Sequence, residues 1–272
     1  MQLKIVYGLR RSIVLLGRNH MSKLKLQSEQ VGEAFAGQFL TDHFGAEIFI
    51  GPGIELKLQE ISHVIFQDVP DNEYFGATVN VDSEQVFVAI NTRQPLRIRY
   101  FTVAHEFWHL LGYKEVISEE IDHERAADRF AAAVMMPASL VRLLWGRLKQ
   151  DFGEEKAIIM IADMAAAPYE AVARRILELK LSKSRRLIAI KEKEWISLRK
   201  AHHLANSPLD EPFPIKSFSK YESVIAEAVE KRLLNKAEAS GKLAQISPET
   251  AIRYQTETNR ERTISQEEEE DL

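Results

Sequence analysis

Residues 105 to 109 read His-Glu-Phe-Trp-His. Two imidazoles four residues apart lie on one face of a helix, so both can converge on a single ion at about 2.0–2.1 Å, and H-E-x-x-H is the pattern of zinc peptidases. Glu106 is turned about 100° from His105 around the helix axis, which sets its carboxylate beside the ion instead of on it. From there it can serve as general base, taking a proton from the attacking water and delivering it to the leaving amine. Three fixed positions in five also arise by chance, in which case the histidine pair is incidental.

A catalytic zinc takes three protein ligands and keeps one position open. Glu124 supplies the third: Glu124, Ala127, Asp128, Ala131 and Met135 follow one another at spacings of three and four and share a helix face. Much of that face is alanine, and small residues let two helices come close enough for a glutamate to reach an ion held by its neighbour. Asp128, one turn on, is placed to accept the free ring N–H of a ligating histidine. His123 is the competing third ligand, but it points off the shared face. His20, His43, His63, His202 and His203 lack ligand spacing to 105–109 and read as surface or core residues. No residue for the oxyanion can be named, although Tyr113 and His123 are near in sequence.

The elements that must position these groups follow from periodicity. Val31, Ala34, Phe35, Gln38 and Phe39 predict a helix from Ser28 to about Phe44, with Gly45 as its stop. Ala77, Val79 and Val81, then Val86, Val88 and Ile90, alternate on either side of Asp82-Ser83-Glu84 and predict a β-hairpin. The His105 helix is expected from Pro95 to a stop at Gly112, and the Glu124 helix from an N-cap at Ser118 to about Met136, ended by Pro137. Residues 139–181 read as helical with a break at Ala166-Ala167-Pro168, and Ile188 to Ile196 is ambiguous.

The chain of 272 residues is 45% hydrophobic, enough to fill a sizeable core without staples. It has no cysteine, which excludes disulfides, thiolate metal sites and cysteine nucleophiles and leaves nitrogen and oxygen as metal ligands. The longest apolar run near the N-terminus, Ile13 to Leu16, is too short for a signal core or a membrane span, so a cytoplasmic setting is expected.

The segments Arg99-Tyr100-Phe101-Thr102-Val103-Ala104-His105-Glu106-Phe107-Trp108-His109, Glu124-Arg125-Ala126-Ala127-Asp128-Arg129-Phe130-Ala131 and Met135-Met136-Pro137 resemble the signature segments of the ImmA/IrrE metallopeptidases, as does the strand ending in Ile90-Asn91. The resemblance covers about residues 28–181. Trp108 stands where the family often has Gly, and Asp128 where it often has Asn. It implies a compact α+β zincin-like domain with a small antiparallel sheet, a zinc cofactor with manganese as the alternative, and a substrate class: XRE-type helix-turn-helix repressors, cut to induce mobile-element or DNA-damage genes.

Four segments are expected: an N-terminal arm at 1–27, a zinc peptidase core at 28–150, a helical basic region at 151–206, and a helical C-terminal region at 207–272. Ile158 to Leu179 reads either as a helix-turn-helix or as a hairpin completing the core. Arg174 to Lys200 holds ten Lys or Arg against three Glu, which suits phosphate or an acidic surface but also a solvated face. A DNA- or protein-binding regulator with a structural or vestigial metal site is therefore the alternative function. The Pro-rich stretch Ser207 to Pro214 marks a boundary, and Glu267 to Asp271 reads as a disordered acidic tail.

Overall fold

The computed structural model describes residues 18–45, 47–80, 86–111 and 121–270. The arm up to residue 17, the hairpin loop Asp82-Ser83-Glu84, Gly112, Tyr113, the expected cap Ser118 and Asp271 lie outside these residues. Among the described residues the chain forms ten α-helices and a four-stranded mixed sheet, an α+β fold that is mostly helical.

Helix α1 (Arg18–Phe44) starts ten residues before the predicted Ser28 and ends at Gly45, whose φ of +72° is open to glycine at no steric cost. Helix α2 (Gly53–Ile61) and strand β1 (His63–Gln67) follow. Neither was expected, because nine helical residues give few turns of periodicity and β1 is too short to stand out. Strands β2 (Gly76–Asn80) and β3 (Val86–Asn91) form the predicted antiparallel pair, with Thr78 opposite Val88. The sheet order is β2-β3-β1-β4, and β1 runs parallel to β3.

The loop entering β2 is held by one buried side chain. Asn91 donates through Nδ2 to the carbonyls of Val69, Asp71 and Tyr74 at 3.1, 3.2 and 2.9 Å, and its Oδ1 accepts from Val69 and Arg93 N–H. An asparagine serves here because it carries donors and acceptors on one short arm.

Helix α3 (Leu96–Leu110) carries the His105 segment, and α4 (His123–Met135) carries Glu124. The Glu124 helix begins later than predicted: Asp122, not Ser118, is its N-cap, accepting from Arg125 N–H at 3.1 Å. Both helices pack on α1 around an aromatic cluster. Phe39 lies 4.9 Å from Phe107 and 5.5 Å from Phe130 by ring centroid, and Trp108 lies 5.9 Å from both Phe35 and Phe130. Each such pair adds about 0.5–1.5 kcal/mol beyond the area it buries. Ala127, Ala131 and Met135 are fully buried, as the small-residue face requires.

Helix α5 (Ala138–Ala165) bends at Gly153, where φ is +81°, and leads through Ala166 in the left-handed region to α6 (Tyr169–Glu178). Within α6, Tyr169, Val172, Ala173, Arg175 and Ile176 are buried and Arg174 is exposed, so one side of this helix packs into the core. The ambiguous stretch resolves into turns and then α7 (Glu192–Ala201). Helices α6 and α7 cap each other: the Glu192 carboxylate accepts from Tyr169 and Glu170 N–H at 2.9 and 3.0 Å, and Glu170 accepts from Glu192 N–H at 2.8 Å.

The Pro-rich stretch includes a 3-10 turn, Pro208–Asp210, and lies along the start of α3. Leu96 N–H donates to Glu211 O at 3.2 Å and Arg99 donates to Phe213 O at 2.9 Å. The chain then adds β4 (Ser217–Phe218) antiparallel to β1. Helices α8 (Ser219–Glu230), α9 (Lys236–Leu243) and α10 (Pro248–Glu270) follow, with their own small core of Ile225, Ala239, Leu243 and Ala251. The expected acidic tail is instead a continuation of α10 up to Glu270. Among the described residues no single helix is long and apolar enough to cross a membrane; α4 and α5 pass together by composition but meet at 60°.

Candidate metal centre

Helices α3 and α4 bring His105, His109 and Glu124 together, with one ligand atom from each lying within 4.8 Å of the others. The two Nε2 atoms are 3.3 Å apart, and Glu124 oxygens lie 3.5 Å from His105 Nε2 and 3.6 Å from His109 Nε2. Three tetrahedral ligands at about 2.0–2.1 Å from one ion stand about 3.3–3.4 Å from each other. The donor set therefore fits a divalent cation in both chemistry and spacing. The His105 imidazole is buried and that of His109 half-buried, while the Glu124 side chain is 48% exposed, so the cluster is open to solvent at Glu124.

Asp128 Oδ1 lies 3.1 Å from His105 Nδ1, where the ring N–H donates to it. That bond leaves the Nε2 lone pair of a neutral His105 directed at Glu124 and His109. In the metal-free chain His105 is pushed up to about 10: burial lowers it, but the Asp128 and Glu124 carboxylates, with Glu106, raise it further. Glu124 is held below its ordinary value, chiefly by its hydrogen bond to His105.

Glu106 lies on the same helix, 3% exposed, and is outside the three-ligand group. Burial raises its carboxyl, against the opposing pull of His105 and of hydrogen bonds from Thr78. The Thr78 hydroxyl donates to Glu106 Oε2 at 2.7 Å. Thr78 was not singled out in the sequence; its only signal is that it shares a strand face with Gly76. The Tyr74 hydroxyl is raised by burial and by the charge of Glu106.

The remaining expected residues fall elsewhere. His123 packs its ring 6.2 Å from Trp108 and does not join the ligand group. Trp108, which stands where the resembling family often has Gly, is 1% exposed and faces the aromatic core. His43 tilts against Phe39, His63 against Phe87, and His202 faces Glu155. The basic run is partly consumed by ion pairs: Arg175 with Glu33, Arg199 with Asp163, Arg186 with Glu155 and Lys191 with Glu170.

A mixed α+β domain with two histidines and a glutamate from adjacent helices defines a protein of the zincin-like kind, with a donor set suited to a divalent metal. Residues 60–177 match the family model Peptidase_M78, the IrrE N-terminal-like domain, which supports the ImmA/IrrE family for this chain, a family of peptidases. No curated protein matches the chain. Among solved structures, a Mycobacterium tuberculosis transcriptional regulator is 14% identical, with a TM-score of 0.31, over 57% of this chain and 46% of that one. The chain thus spans less than half the length of that regulator.

Proposed function

We propose that this protein is a zinc-dependent endopeptidase that hydrolyses a peptide bond in a protein substrate. The observation that supports it most directly is the spacing of His105 Nε2, His109 Nε2 and the two Glu124 oxygens, one facing each histidine, on the scale of a tetrahedral edge, with the buried Glu106 carboxylate on the same helix. When bound, zinc, or manganese in its place, supplies a Lewis acid that polarises the scissile carbonyl and acidifies the attacking water. The chain's own residues do the rest. His105, His109 and Glu124 hold the cation, and Asp128 fixes the His105 tautomer. Glu106 takes a proton from the attacking water at its carboxylate and returns it to the nitrogen of the leaving amine. A carboxyl raised by burial is a better proton acceptor near neutral pH than an exposed one.

The substrate follows from the family resemblance: an XRE-type helix-turn-helix repressor, whose cleavage in the cytoplasm would induce mobile-element or stress genes. Co-expression with such a repressor tests both parts. The zinc-loaded protein is expected to cut it, while Glu106→Gln keeps its zinc and loses on the order of 10²–10⁴ in rate. Cleavage by the glutamine variant at the wild-type rate would rule the mechanism out.

A further inference from the structure

We propose that Thr78 is the positioning residue for Glu106, a role that rests on the peptidase reading above. Glu106 has three rotatable side-chain bonds, and a general base must hold its carboxylate in one place before the reaction. A carboxylate only accepts hydrogen bonds, so the 2.7 Å contact is donated by the Thr78 hydroxyl. Both residues are buried, at 7% and 3% exposure, which keeps solvent from competing for either partner. A β-branched side chain is stiff about χ1, so the hydroxyl direction is set by the strand.

The strand itself is placed by a second contact in register with the first. Gly76 and Thr78 share a face of β2, and a Cβ on Gly76 would stand 2.9 Å from Thr102 Cγ2, 3.0 Å from Ala89 O and 3.1 Å from Ile90 Cδ1. Glycine thus lets β2 close onto α3 at Thr102, one helical turn before Glu106. Two strand residues advance about 6.8 Å and four helical residues about 6.0 Å. Gly76 meets Thr102 and Thr78 meets Glu106, so β2 and α3 advance in the same sense and the contact at Gly76 delivers Thr78 to Glu106. A threonine on an edge strand serves here as the fixed end of the base.

The test compares zinc-loaded wild type, Thr78→Val and Thr78→Ser on a purified XRE-type repressor, with zinc content and the crystal structure of each. Thr78→Val keeps the shape and removes the donor. Its kcat should fall on the order of 10- to 100-fold with KM and zinc content unchanged, and Thr78→Ser should stay within about 3-fold of wild type. In the crystals the Glu106 carboxylate should leave its wild-type place in the valine variant and keep it in the serine variant. Wild-type kcat in Thr78→Val, a loss confined to KM or zinc content, or a serine variant no better than valine would overturn the proposal. If wild type cuts no repressor, the substrate reading falls, and the carboxylate position alone decides for or against Thr78.

Discussion

Gly32 of α1 lies directly on the main chain of α4: a Cβ there would collide with the Ala126 carbonyl and sit 3.1 Å from both Arg129 Cβ and Phe130 N. Glycine inside a helix normally costs about 1 kcal/mol against alanine, so Gly→Ala in α1 should stabilise wherever space allows. Gly37, with nothing within 4 Å of its Cβ position, has that space. Gly32→Ala should instead destabilise by about 1–3 kcal/mol, while Gly37→Ala stabilises by a few tenths to about 1 kcal/mol. Urea unfolding of the two variants measures both. Since α4 carries Glu124 and Asp128, Gly32→Ala should also weaken zinc retention in a chelator titration, and Gly37→Ala should not.

Asp128 holds His105 through a 3.1 Å contact at Nδ1, the ring nitrogen turned away from Glu124 and His109. Asp128→Ala should therefore weaken zinc binding about 10- to 100-fold, and Asp128→Asn, which keeps an acceptor, should lose much less. Competition against a chromophoric chelator reads both. Equal losses in the two variants would mean that charge, not orientation, is what Asp128 provides.

The grouping of His105, His109 and Glu124 was legible in the sequence because each of its parts is local: four residues set the histidine pair, and three- and four-residue spacings set Glu124, Asp128 and the alanine face. The β2–β3 pair and the stop at Gly45 were legible for the same reason. What was not legible depends on distant segments. Thr78 meets Glu106 across 28 positions, and the Pro-rich stretch looked like a linker because its anchors, Thr92, Leu96 and Arg99, lie more than a hundred residues upstream. Arg175 and Arg199 read as surface charge because their partners lie in other helices, Glu33 142 positions from Arg175 and Asp163 36 positions from Arg199. The start of α4 was misplaced by a simpler competition: Ser118 and Asp122 are both good caps, and the later one caps it.

Arg97 is the hub of a buried ion network. Its guanidinium donates to Asp210 at 2.6 Å, Asp163 at 2.5 Å, Ala162 O at 2.7 Å, and Tyr169 and Ser207 hydroxyls at 3.0 Å. Asp210 is itself 8% exposed, so Arg97→Met would leave a buried carboxylate without its counter-charge, with the Tyr169 hydroxyl still donating to it. Removing one partner of a buried pair costs about 3–5 kcal/mol, and replacing both by apolar groups costs far less. Arg97→Met should accordingly lower the urea midpoint sharply, and Arg97→Met with Asp210→Leu should recover part of the loss. No recovery would place the cost in the other partners.

Acid and base act on the metal-free and zinc-loaded proteins in opposite senses. Without metal, His105 is raised from 6.5 to about 10 by the carboxylates around it. A group raised on folding holds its proton more tightly in the native state, so its contribution is fully present below the unfolded value and is lost as pH climbs through the folded one. The metal-stripped protein should therefore lose stability between about pH 6.5 and 10, and His105→Gln should flatten that slope. With zinc the ion must displace that proton, so affinity falls as pH falls and the zinc-dependent gain in stability grows up to about pH 10, where His105 gives the proton up unaided. Urea midpoints across that range, with and without zinc, give two curves that should diverge as pH rises. Parallel curves would mean that His105 does not exchange a proton for the metal.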